Sequence, residues 1–356
     1  MSQFAVTPAT RLAGLCVIGA AALIGATQQQ TGQQDVAIKR VEQQSGTRVT
    51  LIAVSAPLDN VVWVAGRNGT FLKTTDGGDT WKAAQVPGAE QLEFRDVHAV
   101  DGEIAYLLSI GKGDKSRIYK TMDGGAHWET QFTNRDTAAF YDCFAFWDAD
   151  HGVVVSDAVN GEMVIRTTAD GKHWAQVPPS SLPQPLPNEG SFASSGTCVT
   201  AVRGGHGWIG TTRGRVFRTS DYGKSWKLAF SFITANDTTG VASVAFRDRN
   251  NGFAFGGYGG RPADTLVVET TNGGAAWNIR ANPPIASGIW AGSFVPAALH
   301  QGAVVVVGAR GSAYTLDHAK TWTVIDTANY WGLGFAPNGV GWAVGGAGRI
   351  TRFSGF

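Results

Sequence analysis

TTDGGDTW, residues Thr74–Trp81, returns in variant form along the chain: TMDGGAHW (Thr121–Trp128), TTADGKHW (Thr167–Trp174), TSDYGKSW (Thr219–Trp226), TTNGGAAW (Thr270–Trp277) and TLDHAKTW (Thr315–Trp322). The successive tryptophans stand 47, 46, 52, 51 and 45 residues apart. A period of that size, with strand-like runs between turn signals, denotes a repeat architecture rather than separate domains. The octapeptide has the chemistry of a tight hairpin. Its Asp can accept backbone N–H bonds within its own turn, Gly supplies positive φ, the first Thr caps the loop and Trp buries its ring against it.

The stretch around the fifth copy shows what lies between: VASVAF, the turn RDRNNG, FAFGG, a polar loop, TLVVETT, the octapeptide and AWNIRA. That is four short strands per unit, rich in Val, Phe, Ile and Thr. The expected fold class is all-β, a seven-bladed β-propeller. After the sixth copy, YWGLGFAPNGVGWAVGGAGRITRF supplies three strands and stops. Residues around Asp35 to Gln43 precede the first inner strand and are expected to provide the missing outer strand, closing the ring and removing an exposed sheet edge. Three copies depart from the pattern: Ala169 stands where Asp is expected, Asn272 replaces Asp, and Ala319 replaces Gly.

Upstream, Arg11 precedes an apolar run from Leu12 to Ile24 and small residues at Gly25 and Ala26, ahead of a Gln-rich tract. Thirteen apolar residues fall short of the roughly 20 that a spanning helix needs, so residues 1–26 read as a secretory signal peptide. The domain reading is therefore signal peptide 1–26, linker 27–34 and propeller 35–356, with a periplasmic or secreted mature chain. Of 29 basic and 28 acidic residues, the signal removes only Arg11, leaving 28 of each. Zero net charge argues against nucleic acid, whose phosphates demand a basic excess. No further segment is apolar enough to span a bilayer, and the chain reads as a monomer.

Cys143 and Cys198 remain after signal removal, outside any CxxC or Cys/His cluster, and the histidines show no metal-ligand spacing, so neither metal nor cofactor is expected. Aligning the repeats puts both cysteines on inner strands of adjacent blades. A disulfide and two separate buried thiols both fit that placement.

The pattern S/T-x-D-x-G-x-x-W at blade spacing resembles the Asp-box (BNR) repeat of sialidase-like propellers. That resemblance implies boxes between third and fourth strands, away from the ligand side, which excludes their Asp and Trp residues from function. The strands leading into the boxes, NGTFLKT, SRIYKT and RGRVFRT, resemble the photosystem II stability/assembly factor family of seven-bladed propellers. AFWDADHGVVVSDAVNG, PLPNEGSFASSGT and VAFRDRNNGFAFGG are similar to an exported bacterial group loosely named oxidoreductases or glycosyl hydrolases. The family resemblance implies a scaffold that binds a protein partner.

A dehydrogenase needs a glycine fingerprint opening a helix after a strand, yet GGYGGRP, GARGS and VGGAGRI sit between predicted strands. A sialidase needs an arginine in the first strand region, and Leu51 to Val64 contains none. A glycoside hydrolase of another kind needs only two suitably separated acids; Asp157 and Glu189 are the candidates, acting on a carbohydrate.

In propellers, ligands bind where the fourth-to-first and second-to-third strand connections converge. Those connections collect Arg95, Asp96, Tyr141, Asp142, Asp157, Glu189, Tyr258, Arg261, Trp290, Tyr330 and Trp331. Arg67, Arg213 and Arg310 occupy similar loops in three blades and would form part of a ring. Val177–Gly196 carries five prolines and ends in Asn188, Glu189, Gly190 and Ser191. So long a loop over a rigid scaffold is expected to reach the channel mouth. Basic residues before the boxes (Lys73, Lys120, Arg166, Arg218, with Arg352) read as inter-blade salt bridges.

Overall fold

The computed structural model describes residues 38–236, 239–257, 264–298 and 300–356; the signal peptide and linker readings lie outside them. Seven four-stranded antiparallel sheets follow one another, the first running Leu51–Ser55, Val62–Gly66, Thr70–Thr74 and Lys82–Gln85 from inside to outside. The seventh is completed from the other end of the chain. Lys39–Gln43 pairs with Ile350–Ser354, Lys39 opposite Ser354 and Gln43 opposite Ile350, so the ring closes as expected.

Adjacent residues on a strand face opposite sides of its sheet, and in a propeller both sides are covered by neighbouring blades. Second strands are accordingly apolar throughout. In blade six, Val304 and Val306 enter the core shared with blade five, while Val305 and Val307 enter the core shared with blade seven. Seven such cores lie between successive blades, the last joining Val62 and Val64 to Trp342 and Val344. Outer strands lack a covering neighbour and are exposed, as at Lys82–Gln85.

The box hairpins have the expected hydrogen bonds. Thr74 Oγ1 donates to Asp76 Oδ1 at 2.6 Å and accepts from the Gly78 N–H, and Asp76 Oδ1 accepts the Thr80 N–H at 2.9 Å. Two readings change. In the third copy the acceptor role passes to Asp170, which takes the Thr168 hydroxyl and the His173 N–H; the hairpin is one residue shorter, and no acid is missing. In the sixth, Ala319 holds the left-handed conformation at φ 57° that glycine holds elsewhere. The tryptophan rings also do more than cover their own turn. Trp128 packs across the interface onto Phe71 and Trp63 of the preceding blade, at centroid distances of 5.1 and 6.2 Å.

Of the pre-box cations only Lys73 meets an acid of the next blade among the described residues, Glu103 at 4.0 Å. Lys73 donates to the carbonyls of Gly102 and Gly124 in the next blade and lies over the Trp63 ring, Lys120 lies over Tyr106, and Arg166 donates to Tyr141 Oη at 2.7 Å. Lys73 thus reaches the next blade through carbonyls and Arg166 reaches the preceding one over the face of Phe132, whereas the Lys120–Tyr106 and Arg166–Tyr141 contacts stay within one blade.

Candidate functional site

Five inner strands carry a bulge where they leave the channel mouth, and the residues bulged are Ile52, Arg95, Asp142, Ala242 and Trp290. A bulge re-aims the side chain it adds. Arg95 and Trp290 meet Trp331 from the entry to blade seven: the guanidinium lies 4.8 Å from the Trp331 ring centre and the two indoles are 4.4 Å apart. Residues from blades two, six and seven thus converge.

The Pro-rich loop is seated in this mouth. Ala193 O accepts from Arg95 Nη1 at 2.9 Å, Ser195 Oγ donates to Trp290 O at 2.7 Å, and Thr197 O accepts the Val244 N–H. Its chain therefore touches blades two, five and six between its own attachments to three and four, forming a plug. Two glycines let it sit this low. A Cβ at Gly190 would fall 1.7 Å from Asp157 Oδ1, and one at Gly196 would fall 2.2 Å from Asp96 Oδ1. The plug is bolted by a disulfide between Cys143 and Cys198, with Cα atoms 6.1 Å apart, which resolves the alternatives left by the sequence.

Glu189 is not an acid at an open mouth. It is 1% exposed and gripped by Arg215, whose Nε donates to Oε1 at 2.8 Å while Nη2 donates to Oε2. Thr211 Oγ1 and the Leu186 N–H complete its shell. A carboxylate so paired holds the loop to blade four. Asp157 is half-buried and accepts the Ser191 N–H, and burial pushes its carboxyl up to about 6. Asp142 is buried with Oδ2 unpartnered; burial, and next the Asp157 charge, hold its carboxyl well above the usual range. Asp96 accepts the Phe144 N–H at 2.8 Å, joining the inner strands of blades two and three, and burial raises it strongly. The acidic neighbour of Asp157 is thus Asp142, from the same sheet, and Glu189 is the wrong partner.

Among the expected binding residues, Tyr141 is a correction: it is 1% exposed, packed on Phe132 and hydrogen-bonded to Arg166, and belongs to the core. Tyr330, likewise buried, donates its hydroxyl to Asp326 Oδ2 at 2.8 Å, with Thr351 Oγ1 3.0 Å from the same oxygen. The arginines do not form a uniform ring. Arg67 pairs with Glu93 at 2.8 Å, Arg213 donates to Pro187 O and so braces the plug, and Arg310 is exposed. Trp331 is half-buried and packs on Trp290, which is 9% exposed. Tyr258 and Arg261 lie outside the described residues. Sequence reasoning missed Arg215, although RGRVFRT contains it, because its partner is 26 residues away. The bulge positions were detectable by superposing the blades.

Fold and site together define a seven-bladed β-propeller with a plugged channel. Residues 93–235, from blade two through blade four and including the plug, match the family described as photosynthesis system II assembly factor YCF48. The photosystem II stability/assembly factor HCF136 of Oryza sativa is 23% identical over 262 residues, 62% of this chain and 58% of that protein. A xyloglucanase of Paenibacillus sp is 26% identical over 239 residues, 58% of this chain and 21% of that protein. The chain therefore spans about a fifth and somewhat over half of these two relatives. YCF48 from Cyanidioschyzon merolae superposes with a TM-score of 0.63 at 16% identity, covering 88% of this chain and 98% of that one. YCF48 bound to D1 peptide gives 0.61 at 14%, covering 89% and 94%. Over blades two to four the chain is thus similar to photosystem II assembly factors, and the xyloglucanase match accords with the loose naming of its bacterial look-alikes.

Proposed function

We propose that this protein is an exported, non-catalytic scaffold that binds a protein partner on the plugged face. The observation that carries the reading is the fate of Glu189: the best candidate acid is consumed by Arg215, and the loop bearing it fills the mouth where a substrate would enter. Around the plug stand an exposed Arg310, a half-buried Trp331 and, on the blade-four corner, Phe230 and Phe232 at 66% and 62% exposure. Phe232 keeps φ at 66°, a costly conformation for a bulky residue of the kind that gathers at binding sites. Aromatic and arginine side chains suit a protein interface. The similar fold titled YCF48 bound to D1 peptide supports a polypeptide as partner. Export follows from the apolar N-terminal run and accords with a disulfide, which persists in oxidising compartments.

The test is affinity capture from the envelope fraction of the host with wild type and a Trp331→Ala/Arg310→Glu variant. One partner recovered by wild type and reduced at least tenfold with the variant supports the reading; equal recovery sinks it.

A second reading, glycoside hydrolysis, draws on the xyloglucanase relative and on Asp157, whose raised carboxyl is suited to a general acid. It requires that Asp157→Asn abolish glycan cleavage by the purified protein.

A further inference from the structure

On the opposite face, which carries the box hairpins, the channel opens as a cavity of about 720 Å³. That size falls within the roughly 300–1,000 Å³ of ligand pockets. Gly196 and Thr197, the last residues of the plug, line it, so it lies below the closed mouth. Its walls come from inner strands of four blades and are polar and apolar in about equal measure, the apolar part including Val199, Val244, Phe294 and Leu333.

At the rim Arg247 and Asp248 form an ion pair at 3.3 Å. Asp248 Oδ1 accepts the backbone N–H groups of Asn250 and Asn251 at 2.8 and 2.9 Å, and Asn251 Nδ2 bonds both carboxylate oxygens. That carboxylate is saturated within its own turn. Arg247 gives Nε to Asp248 and Nη1 to Gln301 O, and its guanidinium lies 5.8 Å from the centre of the Phe294 ring. The cation is therefore fixed beside an aromatic wall, with the exposed His300 also lining the opening.

We propose that this cavity binds a small amphiphilic anion, an acyl or aryl body against Phe294 and Leu333 with one carboxylate or sulfonate at the guanidinium of Arg247. The site lies on the opposite face from the proposed protein-binding surface and is independent of it. An apolar body gains by leaving water, and an anion meets a guanidinium already oriented by two bonds and a ring.

The test uses dodecanoate and 1-anilinonaphthalene-8-sulfonate with the full mature chain, followed by calorimetry and fluorescence. Expected is one saturable site at which the two compete, with Arg247→Gln weakening dodecanoate at least tenfold and 1-dodecanol binding wild type at least tenfold more weakly. Ala245→Phe, which fills the cavity, should abolish binding. Because a core change can unfold the blade, Ala298→Trp on the rim turn serves as a second block, with near-ultraviolet circular dichroism reporting the fold. No saturable binding below about 1 mM, equal affinity for the alcohol, or undiminished binding in folded Ala298→Trp would overturn the proposal.

Discussion

Arg215 closes on Glu189 as a bidentate pair with side chains 5% and 0% exposed, joining the third strand of blade four to the end of the Pro-rich loop. Breaking such a pair from one side strands a charge where water cannot reach it. Glu189→Ala should lower unfolding stability by about 3–5 kcal/mol, read from urea midpoints. Replacing both partners, Glu189→Leu with Arg215→Met, should recover much of that loss, because no charge is left buried. A Glu189→Ala variant as stable as wild type would mean the plug is not held here.

Gln43 gives a sharper test of ring closure. Its Oε1 accepts both Trp81 Nε1 at 3.2 Å and Trp342 Nε1 at 3.1 Å, so the outer strand of blade seven is pinned to indoles of blades one and seven. Gln43→Ala leaves two indole N–H groups without an acceptor and should cost about 2 kcal/mol. Removing residues 1–43 should cost more and should expose the edge of Ile350–Ser354, seen as concentration-dependent association in light scattering.

The bridge between Cys143 and Cys198 closes 55 residues of chain. By the loop-closure argument its removal destabilises by about 2–4 kcal/mol. The Cys143→Ser/Cys198→Ser protein should unfold at correspondingly lower urea, and dithiothreitol should shift wild type toward it while leaving the double variant unmoved.

Asp157 has a pH signature of known sign. Its carboxyl is pushed by burial from 3.8 to about 6, so the folded chain binds a proton that the unfolded chain releases. The contribution of this group to stability is fully present below pH 3.8 and is lost as pH rises through 6. Asp157→Asn removes the dependence. The variant should match wild type near pH 4 and exceed it by on the order of 2–3 kcal/mol at pH 7, read as the difference between paired denaturation curves. A difference that stays constant across this range would show that the carboxyl does not titrate there.

What the sequence disclosed and what it hid divide along a physical line. Blade number, box hairpins and the N-terminal closing strand are written in local chemistry, the turn residues and the alternating apolar positions, and repetition multiplies the signal. The pairing of Glu189 with Arg215 is not local. A lone Glu at the end of a loop reads equally as a solvent-facing acid or as half of a buried pair, and only the folded path of the chain brings Arg215 beneath it. Tyr141 fails for a related reason: it stands where an inner strand begins, yet the bulge at Asp142 directs its ring into the core between blades two and three. The third box misled because the hairpin shortened by one residue, which moved Asp170 into the role expected at position 169.

The central claim, that the plugged face engages a protein and performs no hydrolysis, is tested most directly by site-specific photo-crosslinking in the host envelope. A crosslinking side chain at position 67 or 310 on the plugged face is compared with one at 127 or 173 in the box hairpins. Expected is a discrete crosslinked partner from 67 and 310 and none from 127 and 173. Crosslinks from the box positions alone, or glycan cleavage by the purified protein that disappears with Asp157→Asn, would contradict it.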